Sequence, residues 1–147
     1  MATYRTSTPE ETEALGERLA GQLQPGTVVA FFGGMGMGKT VFVRGLARGL
    51  QAEDDVSSPT FALVHEYGGR PPLVHFDMYR ITSWDDLYST GFFDYIDQGC
   101  VLAVEWSENI ENALPDGTVF VQIRKTEQEG ERILEIEGEG IHETLES

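Results

Sequence analysis

The sequence predicts a three-layer α/β fold: a mostly parallel central sheet, helices on both faces and a C-terminal hairpin, in one domain spanning residues 1–147. Three observations carry that expectation. Short β-rich apolar runs alternate with helical stretches, which calls for a sheet covered on both sides. One run, TVVAFF at 27–32, feeds directly into a glycine-rich turn that opens a helix. Near the end, TVFVQIR and RILEIEG are separated by the polar stretch TEQEGE, the layout of two paired strands.

Taken in order, Thr8-Pro9-Glu10-Glu11 supplies an N-cap, a proline suited to the first helical position and a glutamate that completes a capping box. Leu15, Leu19 and Leu23 recur every four residues and mark the buried face of that helix, which Pro25-Gly26 ends. The run at 27–32 is apolar throughout, as expected of a strand buried on both faces. From Thr40 the pattern becomes helical, with Val41, Leu46 and Leu50 inward and Arg44 and Arg48 one turn apart. QAEDDVSSPT reads as a loop, and FALVHEY and PLVHFDMY, joined by GGRP, as a hairpin. Ser83-Trp84-Asp85-Asp86 starts another helical stretch that runs irregularly through Leu87, Phe92, Phe93 and Tyr95. CVLAVEW is a buried strand ending on an acid, and a short helix over Asn109 to Leu114 follows.

Composition narrows the function classes. With 25 acidic against 10 basic residues the net charge is −15, and a surface of that sign repels phosphate backbones. Direct tight binding to nucleic acid is therefore disfavoured, although the acidity serves solubility or salt adaptation as readily as partner choice. Cys100 is the sole cysteine, so neither an intrachain disulfide nor a cysteine zinc cluster forms, which agrees with a reducing compartment. No apolar run approaches the roughly 20 residues of a membrane span. The N-terminal residues lack a secretory signal layout, so the expected location is the cytoplasm.

The chemistry centres on GGMGMGKT, which matches G-x-x-x-x-G-K-[ST] from Gly33 to Thr40. Its flanks, a buried strand and a helix N-terminus, are those a phosphate loop requires, and they make the expected architecture P-loop NTPase-like. Backbone N–H groups of Gly33, Gly34, Met35, Gly36, Met37 and Gly38 can converge on phosphate oxygens, with the helix dipole adding to the attraction. Lys39, one of only two lysines, can reach the β- and γ-phosphates, Thr40 can place its hydroxyl on Mg²⁺, and Val41 continues the binding segment. Asp77 and Glu105 each end an apolar strand, the layout of an acid that holds the metal directly or through water; one would serve Mg²⁺ and the other a water or a contact behind the metal's ligands, and the competing reading is that each acid merely caps its strand. Thr60, in SSPT, stands where NTPases carry a γ-phosphate sensor, and an ordinary loop is the competing reading. Trp106 could stack on a base or belong to the core. His65 and His75 read as packing residues of the hairpin. No N-K-x-D occurs, which disfavours a GTPase.

The ordered set GGMGMGKT, SSPTF, HFDMYR and VEW resembles the TsaE (YjeE) family, the small P-loop ATPases of bacterial tRNA threonylcarbamoyladenosine biosynthesis. The likeness runs from about Leu15 to Leu114 and includes GFFDYI and Leu114-Pro115; after Ile123 it is loose. It implies ATP and Mg²⁺ as ligands and the TsaB and TsaD proteins as partners, with ATP hydrolysis resetting their complex between turnovers. By the same resemblance the phosphate loop falls on Gly33 to Thr40, the metal hydroxyl on Thr40, the switch threonine on Thr60, the strand-end acids on Asp77 and Glu105, and the adjacent tryptophan on Trp106. Thr6 or Thr8 and Arg132 are candidate base contacts. One departure is visible: where the family usually reads GDLGAGKT, this chain carries Gly34 and Met37.

Two other functions fit a phosphate loop. A small-molecule kinase would need a lid rich in arginine, and Arg44, Arg48, Arg70 and Arg80 supply a sparse set. A nucleotide-binding interaction module would sense ATP without hydrolysing it, and replacing Glu105 or Asp77 separates that reading from an ATPase. No arginine stands out in the sequence as a finger, which points to slow turnover that partners stimulate.

Overall fold

The computed structural model describes residues 2–32, 38–52 and 64–138. Seven strands form one sheet in the order β1-β7-β6-β2-β5-β4-β3, with β1 Ala2–Thr6, β2 Val28–Phe32, β3 Val64–Gly69, β4 Pro72–Asp77, β5 Val101–Glu105, β6 Val119–Lys125 and β7 Arg132–Glu137. The four central strands β6, β2, β5 and β4 are parallel, while β3, β7 and β1 extend the sheet by antiparallel pairing at its two edges. The expected mostly parallel centre and the C-terminal hairpin β6–β7 are both present.

Helix α1, Pro9–Ala20, starts as its sequence dictates: the Thr8 hydroxyl accepts the Glu11 N–H, and the Glu11 carboxylate in turn accepts the Ser7 N–H. It ends at Gly21, earlier than Pro25-Gly26, and Leu23 packs on the core from beyond the helix. Helix α2, Lys39–Gly49, lies beside α1 on the same face of the sheet. Leu46 and Leu50 are buried as expected, Phe42, Val43 and Ala47 join them, and Val41 is only half-buried, so the inward face is wider and is carried by Phe42 where Val41 was expected. Phe31 and Phe42 meet edge-on at 5.8 Å and fix α2 to the central strand that precedes it.

The opposite face is covered by α3 Trp84–Ser89, α4 Phe92–Asp97 and a 3₁₀ segment Ser107–Ala113. The irregular helical stretch is two helices because Gly91 adopts φ +82°, a left-handed value that breaks the first helix and lets the second start. Phe76 of β4 packs against both Phe92 and Tyr95 at 5.7 Å, so α4 is held by aromatic contact. Strand alternation sorts the sheet: Leu73, Val101 and Ala103 face α1 and α2, whereas Val74, Phe76, Leu102 and Val104 face α3 and α4.

Strand β1 is absent from the sequence reading. ATYRT has too few apolar residues to show as a strand, and it forms by adding backbone pairs to the β7 edge from Ala2↔Ile136 to Thr6↔Arg132.

Candidate functional site

Parallel strands β2, β4 and β5 end at the same edge of the sheet, and ligands of open α/β sheets bind outside the carboxyl ends of such strands. β2 leads into the glycine stretch, and α2 leaves it with Gly38 at its N-cap, in a left-handed conformation of φ +95°. Lys39, in the first turn, is 4 % exposed, and Thr40 beside it is half-buried. Gly33 to Met37 and Thr60 lie outside the described residues, so the expectations placed on them belong to the sequence alone.

Asp77 and Glu105 are register partners on adjacent parallel strands, and both point to the α1–α2 face, because each is an even number of residues from Leu73 or Ala103. The turns that follow them are tied together. The Met78 N–H donates to the Glu105 carbonyl at 3.0 Å, and the Asn109 side-chain amide donates to the Met78 and Tyr79 carbonyls at 2.8 and 3.2 Å. Asp77 Oδ1 accepts the Tyr79 N–H at 3.0 Å, which fixes the carboxylate on its own turn.

A residue that the sequence reading assigned to packing stands in this site. His75, two residues before Asp77 and wholly buried, places Nε2 2.7 Å from Glu105 Oε2. A carboxylate group only accepts, so the pairing calls for the His75 tautomer that carries its proton on Nε2. The signal was present in the sequence as spacing: His75 and Asp77 share a strand face, and Glu105 ends the neighbouring strand. What sequence lacks is the strand order that makes them neighbours.

Trp106 follows Glu105 with φ +59° and ψ 41°, left-handed backbone that a tryptophan rarely adopts. Its ring meets Tyr79 edge-on at 5.0 Å, half-buried against the α3–α4 side of the core. Arg132, at the start of β7, brings Nε to 4.0 Å from where a Cβ on Gly38 would lie, and Nε is buried without a hydrogen-bond partner among the described residues. Its Nη1 donates to the Glu131 carbonyl at 2.9 Å. Thr8 is engaged in capping α1, and the Thr6 hydroxyl is 2.6 Å from that of Thr12, so a base contact by either would compete with these bonds.

Among the described residues no three His, Cys, Asp or Glu side chains cluster as a metal cage. Strand-end carboxylates and a helix-start hydroxyl are the oxygen donors that suit a hard cation whose remaining ligands come from phosphate and water. No helix among the described residues is long and apolar enough to cross a membrane.

A mostly parallel sheet with helices on both faces, a helix that starts at Lys39 after the central strand β2, and acids at the carboxyl ends of β4 and β5 together define a P-loop NTPase-like α/β protein. Comparison with known proteins narrows the class. A family model described as "Threonylcarbamoyl adenosine biosynthesis protein TsaE" matches residues 6–134. The chain is 36 % identical over 115 residues to the tRNA threonylcarbamoyladenosine biosynthesis protein TsaE of Treponema pallidum, covering 78 % of this chain and 85 % of that one. It is 38 % identical over 123 residues to the protein of the same name from Bacillus subtilis, covering 83 % and 77 % respectively. The crystal structure of Bacillus subtilis YdiB superposes with a TM-score of 0.70 at 33 % identity, over 90 % of this chain and 81 % of that one. The chain belongs to the TsaE family of tRNA threonylcarbamoyladenosine biosynthesis.

Proposed function

We propose that this protein binds ATP with Mg²⁺, hydrolyses it slowly alone and faster with the TsaB and TsaD proteins, and thereby resets their complex between rounds of tRNA modification. The observation that carries this reading is the register of Asp77 with Glu105 at the carboxyl ends of β4 and β5, taken with a helix that begins at Lys39 and Thr40 after the central strand β2. The phosphates would lie on the helix start and the glycine turn, with Lys39 against the terminal oxygens. Mg²⁺ would draw charge off the β- and γ-phosphates, held by the Thr40 hydroxyl and by one strand-end acid. The other acid would orient the attacking water; the His75 hydrogen bond favours Glu105 for that task, since it leaves one carboxylate oxygen for a water and ties the other down. The buried, unpartnered Nε of Arg132 next to Gly38 is suited to a phosphate oxygen at the loop exit. Thr60 would report on the γ-phosphate, and Trp106 would frame the nucleotide pocket or a partner's surface.

The net charge of −15 agrees with action through protein partners rather than on tRNA directly. Phosphate release measured with the protein alone and with TsaB and TsaD tests the reading. A clear rise in rate with the partners is expected; equal rates would remove the partner dependence, and no release in either case would remove the hydrolysis.

A further inference from the structure

We infer that His75 is a positioning residue for Glu105: its Nε2–H holds one carboxylate oxygen so that the other is presented to the reacting end of the site. The inference rests on the hydrolytic reading above and names the side chain that makes Glu105 competent for it.

Three observations support it. The contact is short, 2.7 Å, and its imidazole end is fully buried, so solvent reaches the bond only from the side of the partly exposed Glu105 carboxylate. The buried ring of Tyr67 packs beside the imidazole, centroid to centroid 6.2 Å, and the pair sits inside the core rather than at its surface. The bond spans two strands at the register step just before the site: His75 pairs with Ala103, and Glu105 is the next residue on that face. A glutamate at the end of a strand has three side-chain torsions free to wander. A buried donor below it removes most of that freedom and selects one orientation, as the outer partners of ligating carboxylates do. His75 Nδ1 has no partner among the described residues, so hydrogen bonding ties the ring through Nε2 alone. Burying a ring with one nitrogen unsatisfied is costly for a packing residue, and a leucine would fill the space without that cost.

The experiment compares wild type, His75→Leu and His75→Gln, all as the full chain. In the nucleotide-free wild type, imidazole ¹⁵N NMR should show the Nε2–H tautomer for His75, with a side-chain proton signal that Glu105→Ala abolishes. In hydrolysis with TsaB and TsaD, His75→Leu should lower kcat by about 10- to 100-fold, the usual loss on removing such an outer partner. Its KM for ATP should stay within about twofold, because the phosphate cradle is untouched. His75→Gln, whose amide can donate from nearly the same place, should recover most of the loss. An Nδ1–H tautomer, full activity of His75→Leu, or no recovery by a folded His75→Gln would each overturn the inference. If the wild type turned over no ATP, the hydrolytic reading alone would fail. The imidazole measurement would then decide His75 by itself: an Nε2–H signal that Glu105→Ala abolishes supports the contact, and one that persists in Glu105→Ala overturns it.

Discussion

Helices α1 and α2 approach through glycine, and Gly45→Ala tests how much stability depends on that approach. A Cβ on Gly45 would stand 2.0 Å from the Glu13 carbonyl oxygen, 2.9 Å from its carbon and 3.0 Å from the Glu17 nitrogen. Facing it, a Cβ on Gly16 would stand 2.4 Å from the Phe42 carbonyl oxygen. These neighbours are all backbone, so no side chain can turn aside. Restoring a contact of 3.0 Å from 2.0 Å requires the helices to part locally by at least 1 Å. Overpacking of this kind costs up to about 3 kcal/mol. The better helix propensity of alanine offsets about 1 kcal/mol, leaving a net loss of about 2 kcal/mol. For a chain of this size that is a fall in Tm of about 4–8 °C. Gly21→Ala is the control, since Gly21 has φ −66° and ψ −14° and its nearest atom is 3.4 Å away. It should stabilise by about 0.4–1 kcal/mol. Thermal melting by circular dichroism reads both. A Gly45→Ala protein that melts at or above the wild-type temperature would refute the close-packing argument.

Arg132→Ala should weaken ATP-analogue binding by about tenfold, the loss of one charge-assisted hydrogen bond, in an equilibrium titration. Arg124→Ala, which breaks an exposed pair with Glu135 on the same hairpin, should leave that affinity unchanged. Glu105→Gln should keep analogue affinity and lose about 10²- to 10⁴-fold in phosphate release, the range for removing a proton-accepting group. Equal losses in binding and turnover would argue instead for Glu105 as a simple ligand. Burial, and then the negative charge of Glu66, raise the Cys100 thiol above its ordinary value of 9.0 and the Tyr95 phenol above 10.0. Both groups hold their protons longer in the folded state. Stability should therefore be unaffected by these groups below about pH 9 and fall as the pH rises beyond it. Native Cys100 should accordingly resist alkylation at pH 8 until the protein is unfolded, which mass analysis before and after denaturation would reveal.

The layers of the fold and one wall of the candidate site were legible because their signals are local. A glycine turn between TVVAFF and a helical stretch needs no tertiary information, nor do strands that end in Asp77 and Glu105. The capping of α1 by Thr8 and Glu11 is equally local and stands as read. What was not legible depends on which strands are neighbours. His75 reads as packing until β4 is known to lie beside β5, which sets its imidazole against Glu105. Arg132 sits in the last hairpin, far along the chain from Gly38, and meets it because β7 and β6 fold back beside β2. Strand β1 escaped notice for a related reason: its stability comes from the exposed edge of β7 rather than from apolar alternation of its own. Val41 on α2 is a smaller case, half-buried while Leu46 and Leu50 face inward as expected. Val41 and Phe42 are both apolar, and only the contact of Phe42 with Phe31 decides which one turns inward.

The central claim is that Mg-ATP sits between the start of α2 and the carboxylates of Asp77 and Glu105. A crystal structure with a non-hydrolysable ATP analogue and Mn²⁺, whose anomalous signal marks the metal, tests it most directly. The account predicts the metal peak within ligand distance of the Thr40 hydroxyl, the terminal phosphate against Lys39, and Glu105 still bonded to His75. A nucleotide seated elsewhere, or a metal peak held by neither Thr40 nor a strand-end acid, would contradict it.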